Sequence, residues 1–217
     1  MKNRKLSVHV EHELLLKLES AGLNDDLAQK IIESKGNKIA KQIVGIISPE
    51  SIVDERFEFI KKFRLTVPDN YNHATQLTTF AKDHKKEFYY YNENITDTNF
   101  AKATNKLVPG KTYTVKVFGI KQTVQSQDGL DLIASQKGIL VGAQGSSLVY
   151  QLAKDELPKG KWYISFDEND ALWVDSDGFH RVPNVNHYSD DDFKFGLGDF
   201  ENEWFPDYCV LCFCDPE

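Results

Sequence analysis

Three cysteines, Cys209, Cys212 and Cys214, stand together near the end of the chain. C-x-x-C-x-C can hold zinc or an iron–sulfur cluster once another ligand arrives. The residues between them, Val210, Leu211 and Phe213, are apolar and carry no turn chemistry. YCVLCFC therefore reads better as a buried terminal strand in which Cys serves as a small apolar residue, and no cofactor is expected. HVEHE (9–13) sets His9 and His12 beside Glu11 and Glu13. It lacks the His-Glu-x-x-His order of a zinc protease and reads as a solvated helix start. VGAQGSS (141–147) has the strand, glycine turn and helix start of an anion cradle, with Gln144 to Ser147 at the helix end. No Lys follows Gly145, so a structural turn is preferred. DSDG (175–178) begins like a calcium loop but lacks the later ligands; Asp-Gly equally suits a hairpin turn. Asp190, Asp191 and Asp192 would form an ion site with Asp175 or Asp177 only if the fold gathered them. No G-x-S-x-G elbow is present, and His180 and His187 have no nucleophile marked by motif.

The elements that must position these residues follow from periodicity and punctuation. Residues 10–48 read as three short helices. Leu14, Leu15, Leu16 and Leu18 lie in the first. Asn24 caps a second carrying Leu27, Ile31 and Ile32. Asn37 caps a third carrying Ile39, Ile43, Ile46 and Ile47. Residues 51–62 read as a connector, helical through VDERFEFIKKF (53–63). FRLTV (63–67), TYTVKVFGI (112–120), GILVGA (138–143) and KWYISFDE (161–168) read as strands; GLDLIASQ (129–136) and SSLVYQLAKDEL (146–157) read as helices. ALWV and FHRV form a hairpin around DSDG.

The 217 residues, 41% hydrophobic and 27% charged, suit one ordinary domain with a small appendage. A net charge of -7 argues against binding a nucleic-acid backbone, which needs clustered Lys and Arg. No signal peptide or membrane span is read, and an odd, clustered set of Cys suits a reducing compartment, so cytoplasm is the expected location.

Three phrases, LPKGKWYISFDE (157–168), LWVDSDGFHRVP (172–183) and above all FKFGLGDFENEWFPDYCVLCF (193–213), carry a resemblance. The segment resembles the end of C-type lectin-like variable proteins of the formylglycine-generating-enzyme type, which diversity-generating retroelements alter. The shared skeleton is F-x-F-x-L-x-x-F-x-x-x-W-x-x-x-Y followed by an apolar strand. The resemblance implies an α+β, C-type lectin-like fold with irregular short strands and two helices over residues 63–217, preceded by a small three-helix segment over 1–50.

In that family a fixed apolar frame presents outward residues that vary. Here the frame would be Phe193, Phe195, Leu197, Phe200, Trp204, Val210 and Leu211. The ligand-binding set would be Asn184, Asn186, His187, Tyr188, Lys194, Gly196, Asp199, Glu201, Asn202, Glu203, Phe205, Pro206 and Tyr208. The enzymes of the family carry a Cys pair ahead of the terminal strand, and this chain has none there, so binding rather than catalysis is expected. The expected partner is a protein or other macromolecule at the C-terminal face, with further docking by the N-terminal helices, and neither nucleic acid nor membrane. Two readings compete with it. One is an ordinary half-exposed strand. The other is an enzyme with a metal-assisted site built from Asp175, Asp177, Asp190, Asp191 and Asp192.

Overall fold

The structure, a computed structural model, describes residues 8–20, 23–33, 39, 54–103 and 105–216. The chain divides into two compact units, Met1–Ile52 and Val53–Glu217. In the first unit, helix α1 spans Val8–Ser20 and α2 spans Asp25–Glu33. Asn24 caps α2 as expected, its Oδ1 accepting the Leu27 N–H at 3.0 Å. Asp25 and Asp26 place negative charge in the first turn, where the helix dipole favours it. HVEHE falls within α1. Apart from Ile39, the third expected helix lies outside the described residues.

The second unit is mixed α/β. Its strands are β1 (Phe57–Thr66), β2 (Tyr90–Tyr91), β3 (Thr112–Ile120), β4 (Lys161–Ile164), β5 (Trp173–Val174), β6 (His180–His187), β7 (Phe193–Asp199) and β8 (Tyr208–Cys214). They form one 8-stranded sheet in the order β1-β3-β8-β4-β6-β7-β2, with β5 paired to β6. β4 and β8 run parallel, as do β2 and β7; the other pairs are antiparallel. Helices α3 (Gln76–His84), α4 (Ser126–Ser135) and α5 (Gly142–Ala153) complete the unit.

β8 lies between β3 and β4 and is buried on both faces. That explains its unbroken apolar run, since a strand without a solvent side cannot alternate. On one face Leu211 and Phe213 pack with Tyr113, Val115 and Tyr163 under Leu148 and Val149 of α5. Farther along the same side, Val185, Phe193 and Phe195 meet Tyr150 of α5 and Leu77 and Phe80 of α3. On the opposite face Val210 and Cys212 pack with Phe118, Ile164, Val182 and Trp204 under Leu132 and Ile133 of α4.

Three expectations are corrected. Two helices were expected over 63–217; α3, over Gln76–His84, is a third. Residues 57–62 are strand, not helical connector. A bulge between Phe59 and Lys61 hides the alternation: Phe57 joins the core on the α4 side, whereas Phe63 and Leu65 face α5. One inserted residue exchanges the faces of everything after it. GILVGA is not a strand; Ile139 makes one bridge to Phe213 and the helix has begun by Gly142. The DSDG hairpin is present, with Asp175 Oδ1 accepting the N–H groups of Asp177 and Phe179 and Gly178 at φ +89.

Trp204 pins the loop between β7 and β8. Its backbone bridges Val124, and its Nε1–H donates to Ser126 Oγ at 2.8 Å. Ser126 in turn donates to the Phe200 carbonyl at 2.6 Å. The ring lies on Gly198, where a Cβ would come within 2.6 Å of it. Trp204→Ala is expected to destabilise the protein by roughly 3–5 kcal/mol in denaturant unfolding, from lost burial and the cavity left behind; a loss under 1 kcal/mol would remove Trp204 from this role.

Candidate functional site

Register brings five side chains into one row across the sheet on the α4 side. Tyr208 of β8 lies opposite Trp162 of β4, Trp162 opposite Asn186 of β6, Asn186 opposite Lys194 of β7, and Lys194 opposite Tyr90 of β2. Trp162 and Tyr208 are 5.5 Å apart between ring centroids, and Tyr188 stands 6.4 Å from Trp162. The Lys194 ammonium sits between two rings, 5.1 Å from the centroid of Tyr90 and 5.0 Å from that of Trp162. The next row holds Val210, Ile164, Asn184 and Gly196. Beside it, Arg181, Gly198, Asn202, Glu203, Trp204 and Phe205 line a cleft of about 620 Å³, and Tyr208 joins the cleft to the aromatic row.

Nine of the expected contact residues keep surface, because the others are Asn184, Asn186, His187 and Gly196. Lys194, Tyr188 and Tyr208 are half-buried on or beside the row, and Asn202, Glu203, Phe205 and Pro206 are exposed on the 199–208 loop. Exposed Glu201 binds His180, whose Nδ1 is 2.6 Å away. Asp199 pairs with Arg181, which also holds Asp175; strand alternation turns it away from Lys194.

The buried four are corrections. Asn184 and Asn186 belong to the open face but lie low, beneath longer side chains, and Gly196 offers no side chain. His187 points to the other side, where it stacks on Phe193 at 4.2 Å. Its Nδ1–H donates to the Leu157 carbonyl at 2.8 Å. Among frame positions, Phe193, Phe195, Trp204, Val210 and Leu211 are buried as expected, while Leu197 and Phe200 are half-buried. Tyr90 and Trp162 were missed; TYTVKV-like alternation in KWYISF marked a strand but not its partner strands.

The other candidate chemistries are resolved by place. Asp175 and Asp177 lie before β6 and Asp190 to Asp192 after it; its 8 residues separate the two groups by about 23 Å at ~3.3 Å per residue. Among the described residues, no three His, Cys, Asp or Glu side chains are grouped to hold a metal ion. Cys209 and Cys212 are three apart on a strand and so face opposite ways. Burial pushes the Cys209 thiol up to about 12; a hydrogen bond with Cys214 and burial raise that of Cys212. Such thiols carry little thiolate for nucleophilic attack.

A cleft of about 660 Å³ on the α5 side includes Lys61, Glu87, Tyr150, Lys154, Lys159 and His187. Its lysines are already paired: Lys61 with Glu156 and Lys159 with Asp191, both at 2.6 Å, and Lys154 with Glu87 at 3.2 Å. Glu87 is held down at about 2 by His84, with Lys154 and Tyr150 assisting. These contacts make the cleft an ion-pair network around the end of α5.

The glycine phrase behaves differently from an anion cradle. Gln144 to Ser147 are buried inside α5, and the helix start faces a carboxyl group of the chain itself. Gly142, at φ +44, lies so close to Asp167 that a Cβ would meet Oδ2 at 1.8 Å. Asp167 is 1% exposed, and neither carboxyl oxygen has a hydrogen-bond partner. Burial, with the charge of Glu168 adding to it, pushes Asp167 up to about 7. No local motif marked this residue.

No family model, curated protein or solved structure matches the chain.

Asp167 has a consequence for stability. In the unfolded chain it ionises near pH 4, whereas in the folded chain it holds its proton to about 7. Folded stability is therefore lost as pH rises through that window, by roughly 4 kcal/mol at 1.36 kcal/mol per unit. Denaturation midpoints at pH 5 and pH 8 check this: Asp167→Asn is expected to stabilise the protein at pH 8 relative to wild type and to flatten its dependence on pH. Parallel profiles for the two proteins would contradict it.

Proposed function

We propose that the chain is a ligand-binding protein, not an enzyme, whose recognition surface is the open end of the α4-side sheet face together with the 199–208 loop. The observation that carries this reading is the separation of two sets of residues. Phe193, Phe195 and Trp204 are buried, while Lys194, Asn202, Glu203, Phe205 and Tyr208, interleaved with them in sequence, keep surface. Phe205 is 51% exposed, beside a cleft and an aromatic row that give a partner apolar area with polar edges. The dispersal of the carboxylates weighs against the metal-assisted alternative.

The kinship to C-type lectin-like variable proteins, and diversification of the gene by a retroelement, are part of the same proposal. They rest on the C-terminal phrases, and the division between frame and surface is what such a scaffold requires. The ligand on this reading is a protein or other macromolecular surface. Exposed Leu14, Leu15, Leu16 and Ile32 suit α1 and α2 for docking to a further partner. Among the described residues, no helix is long and apolar enough to cross a membrane.

Cross-linking capture with the tagged full chain tests the surface. Phe205→Ser and Glu203→Lys are each expected to reduce recovery of the captured partner about tenfold, as loss of a hot-spot contact does. Arg64→Ala, on exposed β1, should leave recovery unchanged. Equal recovery by all three would overturn the assignment of this face.

A further inference from the structure

Lys194 is placed unlike the paired lysines of the α5-side cleft. Among the described residues, no carboxylate pairs with its ammonium and no hydrogen bond is formed to it; two ring faces, Tyr90 and Trp162, hold it. Its stem folds back over Gly196. A Cβ at residue 196 would meet Lys194 Cε at 3.2 Å and Asn184 Oδ1 at 3.3 Å, so the stem and the amide oxygen share one small space. Asn184 is 3% exposed, and that oxygen has no hydrogen-bond partner. A buried acceptor without a donor is costly, and its position points to a missing partner.

We propose that this recess is a binding site for a methylated alkylammonium head, carried by a methyllysine side chain of a partner chain, and that Lys194 occupies it while the protein is free. The proposal rests on the binding reading above and names the chemistry of its ligand. Aromatic faces attract cations through the ring quadrupole, and they favour weakly hydrated ones because little solvation is given up. Each added methyl group should therefore improve the fit, while an unmodified ammonium gains little over Lys194 itself. Displacement of the Lys194 stem uncovers Asn184 Oδ1 for a water or for an N–H of the incoming chain. A net charge of -7 favours a cationic partner. Tyr208, whose ring lies 5.5 Å from that of Trp162, also lines the cleft with Asn202, Glu203 and Phe205, which gives the chain carrying the cation somewhere to lie. A free headgroup would leave that cleft unused.

The test uses the full chain, followed by the indole N–H signal of Trp162 during NMR titration. The probes are tetramethylammonium and short peptides containing either lysine or trimethyllysine. Lys194→Ala is expected to bind the trimethyllysine peptide about tenfold tighter than wild type, and tighter than the unmodified peptide. Tyr90→Ala in that background, monitored through Trp162, should cancel the gain; Trp162→Leu, followed by peptide fluorescence anisotropy, should do the same. Thermal unfolding establishes that each variant is folded, and the two walls serve as independent checks should one variant fail to fold. No gain on removing Lys194, or a gain indifferent to both walls, would overturn the site. Equal affinity for tetramethylammonium and the trimethyllysine peptide would overturn the partner-chain source in favour of a small cation. If peptide binding fails while Phe205→Ser still reduces partner capture, the cation site falls and the binding surface stands.

Discussion

The last strand of the chain is the one on which the sheet depends. β8 fills the position between β3 and β4, so its two ladders join the β1–β3 pair to everything from β4 to β2. With no solvent side, it must be apolar on both faces, and Cys209, Cys212 and Cys214 are explained as small side chains within that packing. The strand also pairs with residues far away in sequence, Thr114 opposite Cys214 being an example.

Immediately before this constrained strand, the chain makes its least regular excursion. The 199–208 loop leaves β7, drops Trp204 onto Gly198 and returns at Tyr208. One buried indole, hydrogen-bonded to Ser126 and bridged to Val124, fixes the loop to α4 and its approach. The side chains on either side of it, Glu203 and Phe205, are exposed. Alternation does the same within β7: Phe193 and Phe195 serve the core while Lys194 stands on the other face. Buried and exposed side chains in this way occupy adjacent positions of one stretch of chain.

Much of this was legible locally. Alternation in TYTVKVFGI, the apolar run YCVLCFC, the Asp-Gly hairpin and the Asn24 cap each declare their structure within a few residues. What was hidden depended on distant partners. The bulge in β1 disguised a strand as a connector. The resemblance placed His187 on the outward face, yet its ring packs against Phe193. Tyr90 and Trp162 meet Lys194 only because β2 and β4 flank the β6–β7 pair, a fact of sheet order. Asp167 became chemically unusual only when the start of α5 was laid on it. A residue's type announces what chemistry is available; the pairing of strands decides where it is used.

On the proposed reading, frame and surface are separate sets of residues within one stretch of chain. Sequencing codons 180–210 in natural copies of the gene, with the flanking DNA, tests it most directly. Substitutions are expected to concentrate at Lys194, Asn202, Glu203, Phe205 and Tyr208, traceable to adenines in a nearby template repeat, with Phe193, Phe195, Gly198 and Trp204 retained. Substitutions spread evenly over both sets, or an absence of change at the outward positions, would contradict it.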